Sequence, residues 1–270
     1  MKYLSGKELA GYVKERQARQ VRSLKQSRQV FPKMAILIEE PADELKTKFT
    51  GLKRRYGEDI GAEVDVLVTE LGKMSQAIKE LNQDSAVHGI VVQLPLSNQD
   101  RTGELLNLIA PEKDIDGLGD RAAYDSASAT AIMWLISGYN ISLEDKKVAI
   151  IGHGRLVGKP LTSILRSQDI EPAVIDKNRG DIKDIKDADV IISAAGSPGI
   201  ITADLVKKNA VVIDAGATSQ KGVIKGDVDD GLYHRGDLAI TPKTGGVGPL
   251  TIAVLFDHLL RAASATTKGE

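Results

Sequence analysis

Apolar positions in the first part of the chain alternate between two rhythms. Ser5 and Glu8 stand at capping-box spacing, and Leu9, Tyr12, Val13, Val21 and Leu24 follow at roughly helical intervals, which predicts an amphipathic first helix. After Pro32 a short apolar run over 34–38 leads into a lysine-rich helical stretch over 42–56 and then a second apolar run over 64–68. A helical segment over 75–82 precedes Gly89, Ile90, Val91, Val92, Gln93 and Leu94, a β-branched run closed by Pro95. Apolar runs separated by helices predict a parallel sheet.

A second series follows, with apolar runs at 148–151, 173–175, 190–192 and 211–213 and a last strand at 238–240. Runs this uniformly apolar are buried on both faces, which predicts a doubly wound sheet covered by helices. Between the series lie a charged, glycine-containing stretch over 111–125 and an apolar helix over 132–136. The expected fold is therefore two-domain α/β. Residues 1–118 with 252–270 form the first domain, 119–251 form a Rossmann-like domain, and a last helix over 251–263 packs back on the first.

Composition narrows the partners. The 270 residues are 42% hydrophobic, and 36 Lys and Arg against 37 Asp and Glu leave a formal net charge of -1. Such a balance gives no broad basic field for nucleic acid or an anionic membrane. There is no cysteine, so disulfides, thiolate zinc sites and cysteine nucleophiles are excluded. The four histidines, at 88, 153, 234 and 258, make no metal-binding spacing, and no metal is expected. Charged residues interrupt the N-terminus before any signal-peptide core can form, and no stretch of about 18 apolar residues is seen. A soluble, cytoplasmic protein is expected.

The sharpest local feature is the turn Gly152, His153, Gly154, Arg155, Leu156, Val157, Gly158 between a predicted strand and a predicted helix. It brings backbone N–H groups and the positive end of a helix toward an anion such as a pyrophosphate. Its spacing, G-x-G-x-x-x-G, is one residue longer than the usual dinucleotide fingerprint, and a ligand-free βα turn is the alternative. Asp176, at the end of the next strand, is placed to accept hydrogen bonds from an adenosine ribose and so favours NAD. Lys177 and Arg179 beside it can instead neutralise the 2′-phosphate of NADP, so both cofactors stay open. Further loops at strand ends carry Ala195 and Gly196, then Gly216 and Ala217, then the segment 244–251. Glycine there lets a flat ring approach the backbone.

Taken in order, Leu4-Ser5-Gly6-Lys7, Val91-Val92-Gln93-Leu94-Pro95-Leu96, Lys113-Asp114-Ile115-Asp116-Gly117, the 152–160 turn and Gly245-Gly246-Val247-Gly248-Pro249-Leu250-Thr251 resemble the motif series of the methylenetetrahydrofolate dehydrogenase/cyclohydrolase family. The resemblance implies a homodimeric one-carbon enzyme that oxidises 5,10-methylenetetrahydrofolate with NAD or NADP and hydrolyses the methenyl product. It implies that Asp116 anchors the pterin, that Gln93 orients folate and a catalytic amine, and that Leu94, Pro95, Gly248, Pro249 and Thr251 line the substrate. The family carries a Tyr and, four residues later, a catalytic Lys on the helix after the first strand. Alignment through Pro41-Ala42 sets Lys46 and Thr50 at those positions, so the pair is expected to be lost and Lys46 or a neighbour to be the substitute amine, with an ordinary solvated helix face of Lys46, Lys48, Lys53 and Arg54 as the alternative. Further departures are Ser126-Ala127-Ser128-Ala129, Gly154 and Lys243-Thr244, where the family has a P-C-T-P segment, a serine and Val-Pro. Hydrolysis is the activity these changes threaten most. A degenerate binding protein, or a dehydrogenase of another small substrate, is the competing expectation.

Overall fold

The computed structural model describes residues 1–220 and 223–266. In chain order the elements are β1 (Lys2–Tyr3), α1 (Gly6–Arg28), β2 (Lys33–Glu39), α2 (Glu44–Ile60), β3 (Glu63–Thr69), α3 (Met74–Gln83), β4 (Gly89–Val92), α4 (Thr102–Leu106), α5 (Ala127–Gly138) and β5 (Val148–Ile151). They continue with α6 (Gly158–Arg166), β6 (Ala173–Ile175), β7 (Val190–Ser193), β8 (Val211–Asp214), β9 (Thr218–Gln220), β10 (Val223–Lys225), β11 (Ala239–Ile240) and α7 (Val247–Ala265).

The chain divides into two compact units, residues 11–127 with 252–270 and residues 1–10 with 128–251. Both differ at their edges from the sequence expectation. The first ten residues belong with the second unit because β1 pairs with β11, Lys2 N–H donating to Leu238 O at 2.8 Å and Leu4 N–H to Ile240 O at 2.9 Å. A two-residue strand carrying a lysine gives no apolar run to read. The other division falls after Ala127 rather than at 118, because Asp116 and Gly117 are tied to the segment that follows them: Ala127 N–H donates to Asp116 O at 3.0 Å. Residues 267–270 of the expected first domain lie outside the described residues.

In the first unit three parallel strands lie in the order β3-β2-β4. β2, an almost wholly buried apolar run, takes the centre, and half-exposed β3 takes an edge. α2 begins where the Asp43 carboxylate accepts from Lys46 N–H at 2.7 Å and ends at Gly61, whose φ of 80° suits glycine. α7 packs back within this unit as expected. Gln17 Nε2 donates to Ala253 O at 2.8 Å, Tyr56 OH donates to Gln17 Oε1 at 2.8 Å, and the Tyr56 and Phe256 rings stack at 4.9 Å. α7 is also long and apolar enough to meet the composition test for a membrane span, which the sequence reading passed over. Its Ala253, Val254, Leu255, Phe256 and Leu259 are buried, as in a core helix.

The second unit holds a six-stranded sheet in the order β1-β11-β8-β7-β5-β6, with every pairing parallel. β5 and β7, four buried residues each, lie side by side within it, each paired on both edges. The chain leaves β5 for β6 on one side and returns to β7 on the other, so the order reverses at β5 and β7, where a doubly wound sheet opens a crevice at its carboxyl edge. A small antiparallel ribbon of β9 and β10 is added, which the sequence reading did not expect.

Phe256 is fully buried against Tyr56, and the Phe256→Ala variant is expected to lose about 3–5 kcal/mol of stability in this unit. Urea unfolding followed by circular dichroism measures it, and a loss below about 1 kcal/mol would contradict the packing described.

Candidate active site

The motif over 113–117 divides its work residue by residue. Lys113 Nζ donates to the carbonyls of Leu81, Asn82 and Asp84 at 3.0, 2.9 and 2.8 Å, closing the end of α3. The Asp114 carboxylate accepts from the N–H groups of Gly117, Leu118 and Gly119 at 3.0, 3.2 and 2.7 Å and so braces the loop. Burial pushes the Asp114 carboxyl upward, against those backbone hydrogen bonds. Ile115 is wholly buried, and its carbonyl contacts His258 Nδ1 of α7 at 2.8 Å. Gly117 turns at a φ of 67°, where a β-carbon would stand 2.3 Å from Asp125 O.

Asp116 is left over from this scaffolding. Among the described residues no side-chain hydrogen bond engages its carboxylate, which is partly open to solvent although protein surrounds it. Burial raises its pKa to about 6, with Lys53 acting to lower it and Asp114 to raise it further. Two unclaimed carboxylate oxygens suit a planar pair of N–H donors.

The amine that meets this carboxylate is Lys53, not Lys46. Lys53 Nζ donates to Gln93 Oε1 at 2.6 Å in the interior, and burial holds the ammonium below its ordinary pKa while Asp116 opposes the shift. Gln93 is held in turn, since its backbone N–H donates to Leu37 O at 2.8 Å and its Nε2 to Leu94 O at 3.1 Å. Lys46 instead faces Glu39 at 3.7 Å and Asp43 at 3.8 Å. Burial works against the Glu39 charge, but hydrogen bonds from Ser97 and the Lys46 ammonium outweigh it and lower its pKa. The geometry therefore differs from the expectation that Lys46 supplies the amine beside Gln93, since Lys53 holds that place. Phe49 and Lys53 stand four residues apart on α2, and of the lysines at 46 and 53 it is Lys53 that reaches Gln93. The Phe-x-x-x-Lys pair was the available signal. Leu94 and Pro95 follow Gln93 directly, and their side chains are half-buried and exposed.

In the six-stranded unit the glycine turn joins β5 to α6 at the switch point. Gly152 has a φ of 91°, and a β-carbon there would stand 2.5 Å from Ala194 O; at Gly158 it would stand 2.0 Å from Gly152 O. Both glycines are required by backbone packing. Gly154 is different, with open space where a β-carbon would be, so an anion can reach its backbone. His153 and Val157 are half-buried and Arg155 is exposed. Asp176 Oδ1 accepts from Asn178 N–H at 2.8 Å within a tight turn that leaves Lys177 and Arg179 exposed. The residues fit a dinucleotide: a glycine turn at a helix N-terminus, open backbone at Gly154 and cations at the next strand end.

Two carboxylates the sequence reading missed shape the neighbouring loops. Asp227, wholly buried, accepts from Ser193 Oγ at 2.7 Å and from the N–H groups of Ala195, Gly196 and Ser197 at 2.8, 3.3 and 2.6 Å. Asp214 accepts from the N–H groups of Gly216, Asp227 and Val228 at 2.9, 3.1 and 3.1 Å, and burial raises its pKa against those bonds. A β-carbon at Gly216 would lie 2.3 Å from the Asp227 carboxyl carbon, and one at Gly226 would lie 2.0 Å from Asp214 Oδ2. Ala217 is exposed at the end of this loop. Gly248, Pro249 and Thr251 stand in the first turn of α7 and belong to this unit.

One unit with a parallel sheet and glycine turns at its switch point, and another carrying a buried amine, amide and carboxylate, together define a dinucleotide-binding α/β enzyme. Residues 4–116 match the catalytic domain, and residues 126–267 the NAD(P)-binding domain, of tetrahydrofolate dehydrogenase/cyclohydrolase. The "Bifunctional protein FolD" of Francisella philomiragia is 33% identical over 97% of this chain and 98% of its own length. Among solved structures, a bifunctional methylenetetrahydrofolate dehydrogenase/cyclohydrolase from Campylobacter jejuni is 29% identical with a TM-score of 0.91, covering 98% of this chain and 99% of its own. One from Trypanosoma brucei, complexed with NADP cofactor and an inhibitor, is 26% identical with a TM-score of 0.91, covering 99% of this chain and 98% of its own. The chain belongs to the tetrahydrofolate dehydrogenase/cyclohydrolase family.

The Asp116 carboxyl is expected to titrate near pH 6, and Lys53→Met to move that midpoint upward because the ammonium favours the carboxylate. Carboxyl-carbon NMR reads both, and a downward move would contradict the arrangement. Asp227→Ala leaves the loop N–H groups unpaired and is expected to weaken dinucleotide binding about tenfold or more by calorimetry.

Proposed function

We propose that this chain oxidises 5,10-methylenetetrahydrofolate with NAD or NADP and hydrolyses the methenyl product to 10-formyltetrahydrofolate. The observation that carries the reading is the buried Lys53–Gln93 hydrogen bond, 2.6 Å long, in the electrostatic field of Asp116. It weighs against a degenerate binding protein, since the amine whose loss motivated that alternative is present.

Each group has a role that follows from its surroundings. Asp116, ionised above about pH 6, accepts the paired N–H groups of the pterin and fixes the ring. Lys53, its charge disfavoured by burial, takes or returns a proton beside the one-carbon unit. Gln93 holds the amine in place through its Oε1, and Leu94 and Pro95 continue the folate surface. The turn from Gly152 to Gly158, with Asp176, Lys177, Ala195, Gly196, Gly216 and Ala217, would hold the dinucleotide, whose nicotinamide ring is the hydride acceptor when bound. Gly248, Pro249 and Thr251 are assigned to the substrate on the same reading.

A homodimer in the cytoplasm is part of the proposal. β3 is an edge strand with Leu67 and Val68 exposed at 40% and 55%, and such an edge offers unpaired backbone groups to a second copy. The cysteine-free sequence and the burial of α7 in a core support the location. Val68→Asp is expected to shift the protein from dimer to monomer in light scattering; a dimer that persists would move the interface elsewhere.

Purified protein with 5,10-methylenetetrahydrofolate is expected to reduce NAD+ or NADP+, with absorbance rising near 340 nm and little methenyl product accumulating after acid quench. Lys53→Met should lower turnover by roughly a hundredfold, whereas Lys46→Met should retain it. Folate affinity should weaken as pH falls through about 6, and Asp116→Asn should abolish that dependence. Folded protein inactive with both dinucleotides would overturn the reading.

A further inference from the structure

The Thr50 side chain is 4% exposed, and its Oγ1 is the one buried side-chain polar atom among the described residues that has no hydrogen-bond partner. Leaving a buried hydroxyl unpaired costs about 1–3 kcal/mol, so the atom calls for an explanation. A hydroxyl within a helix ordinarily bonds the carbonyl one turn back. In this protein Thr47 does so to Asp43 O at 2.9 Å, Thr162 to Gly158 O at 2.7 Å and Ser264 to Leu260 O at 2.7 Å. Thr50 does not, and its hydroxyl is left with donor and acceptor capacity that the protein does not meet.

Its place on α2 says what lies near. Lys46, Thr50 and Lys53 share the buried face of that helix, and residues three or four apart on one face have β-carbons about 5–6 Å from one another. Along that face Thr50 lies between Lys46, whose ammonium is paired with Glu39, and Lys53, whose amine burial makes easier to deprotonate. Gln93 Oε1 takes one donor position of Lys53 and leaves the rest of the amine for other groups.

We propose that Thr50 positions the water that hydrolyses the methenyl group. The assignment rests on the function proposed above and adds a residue to it. The Thr50 hydroxyl and the Lys53 amine hold one water between them. The water oxygen bonds to the cationic methenyl carbon and its proton passes to Lys53, giving a neutral carbinol. As the bond from that carbon to N5 breaks, Lys53 returns the proton to N5 and the carbinol proton leaves to solvent as the formyl C=O forms. One water is consumed and one proton released.

The test compares wild type, Thr50→Val and Thr50→Ser for methenyl hydrolysis, reduced-dinucleotide formation and urea midpoint. In Thr50→Val the ratio of hydrolysis to oxidation should fall about tenfold, so that methenyl product accumulates, with kcat for hydrolysis carrying the loss rather than KM. Its urea midpoint should equal or exceed that of wild type, because the hydroxyl it removes has no protein partner. Thr50→Ser should restore most of the hydrolysis. An unchanged ratio in Thr50→Val overturns the proposal, and a lowered midpoint with both activities reduced alike overturns it in favour of a structural hydroxyl. Wild-type protein that turns over neither substrate overturns the parent reading and this one with it.

Discussion

The 2.6 Å hydrogen bond from Lys53 to Gln93 is the constraint around which the first unit is arranged. It joins the middle of α2 to the residue that follows β4, so it fixes the rotation of the helix as well as its distance from the sheet. With Lys53 turned inward, Lys46 and Thr50 must turn inward too, while Lys48 and Arg54 are left on the solvent side. A buried amine is costly unless its donors are met. Here the amide meets one, the Asp116 field compensates part of the desolvation, and the remainder appears as a lowered pKa, which is what proton transfer needs.

Both units solve the same mechanical problem in the same way. A loop at the carboxyl edge of a parallel sheet must keep a fixed shape although no strand partner holds its N–H groups. In each case a buried carboxylate gathers them: Asp114 in the first unit, Asp214 and Asp227 in the second. Asp114 is engaged by backbone donors, whereas the Asp116 carboxylate two residues on keeps its acceptor capacity. Adjacent acids in one motif can thus be told apart by which still have acceptor capacity.

Much of the fold was legible in the sequence because buried parallel strands are written as plain β-branched runs, as at β5, β7 and β8, and because the capping residues of α1 stand where the helix starts. β1 was not legible, since two residues carry no periodicity and its partner lies at the far end of the chain. The assignments of Gln93 and Asp116 came from ordered motifs, whose spacing is rigid because each sits at the end of a strand or in a braced loop. Lys53 was passed over because on a lysine-rich helix one cation looks like another in the sequence. Helix phase narrows the lysines to those facing inward, but the choice between Lys46 and Lys53 needs the position of Gln93, a contact across 40 residues. The roles of Asp214 and Asp227 likewise depend on contacts across 13 to 34 residues that no local pattern encodes.

The reciprocal packing of those last two acids bears on how the lineage can drift. Gly216, two residues past Asp214, touches the carboxyl of Asp227, and Gly226, one residue before Asp227, touches the carboxyl of Asp214. No single replacement that adds a side chain at either glycine can be accommodated without displacing an acid from the loop that the other half of the lock supports. The four positions should therefore be inherited as a block, and an intermediate sequence altered at only one of them should be rare. In the 152–158 turn, by contrast, Gly154 has open space where a β-carbon would be, so that position is free to change. The interlocked aspartates thus join Gly152 and Gly158 as positions this unit cannot alter singly, whereas Gly154 between those glycines is not bound in that way.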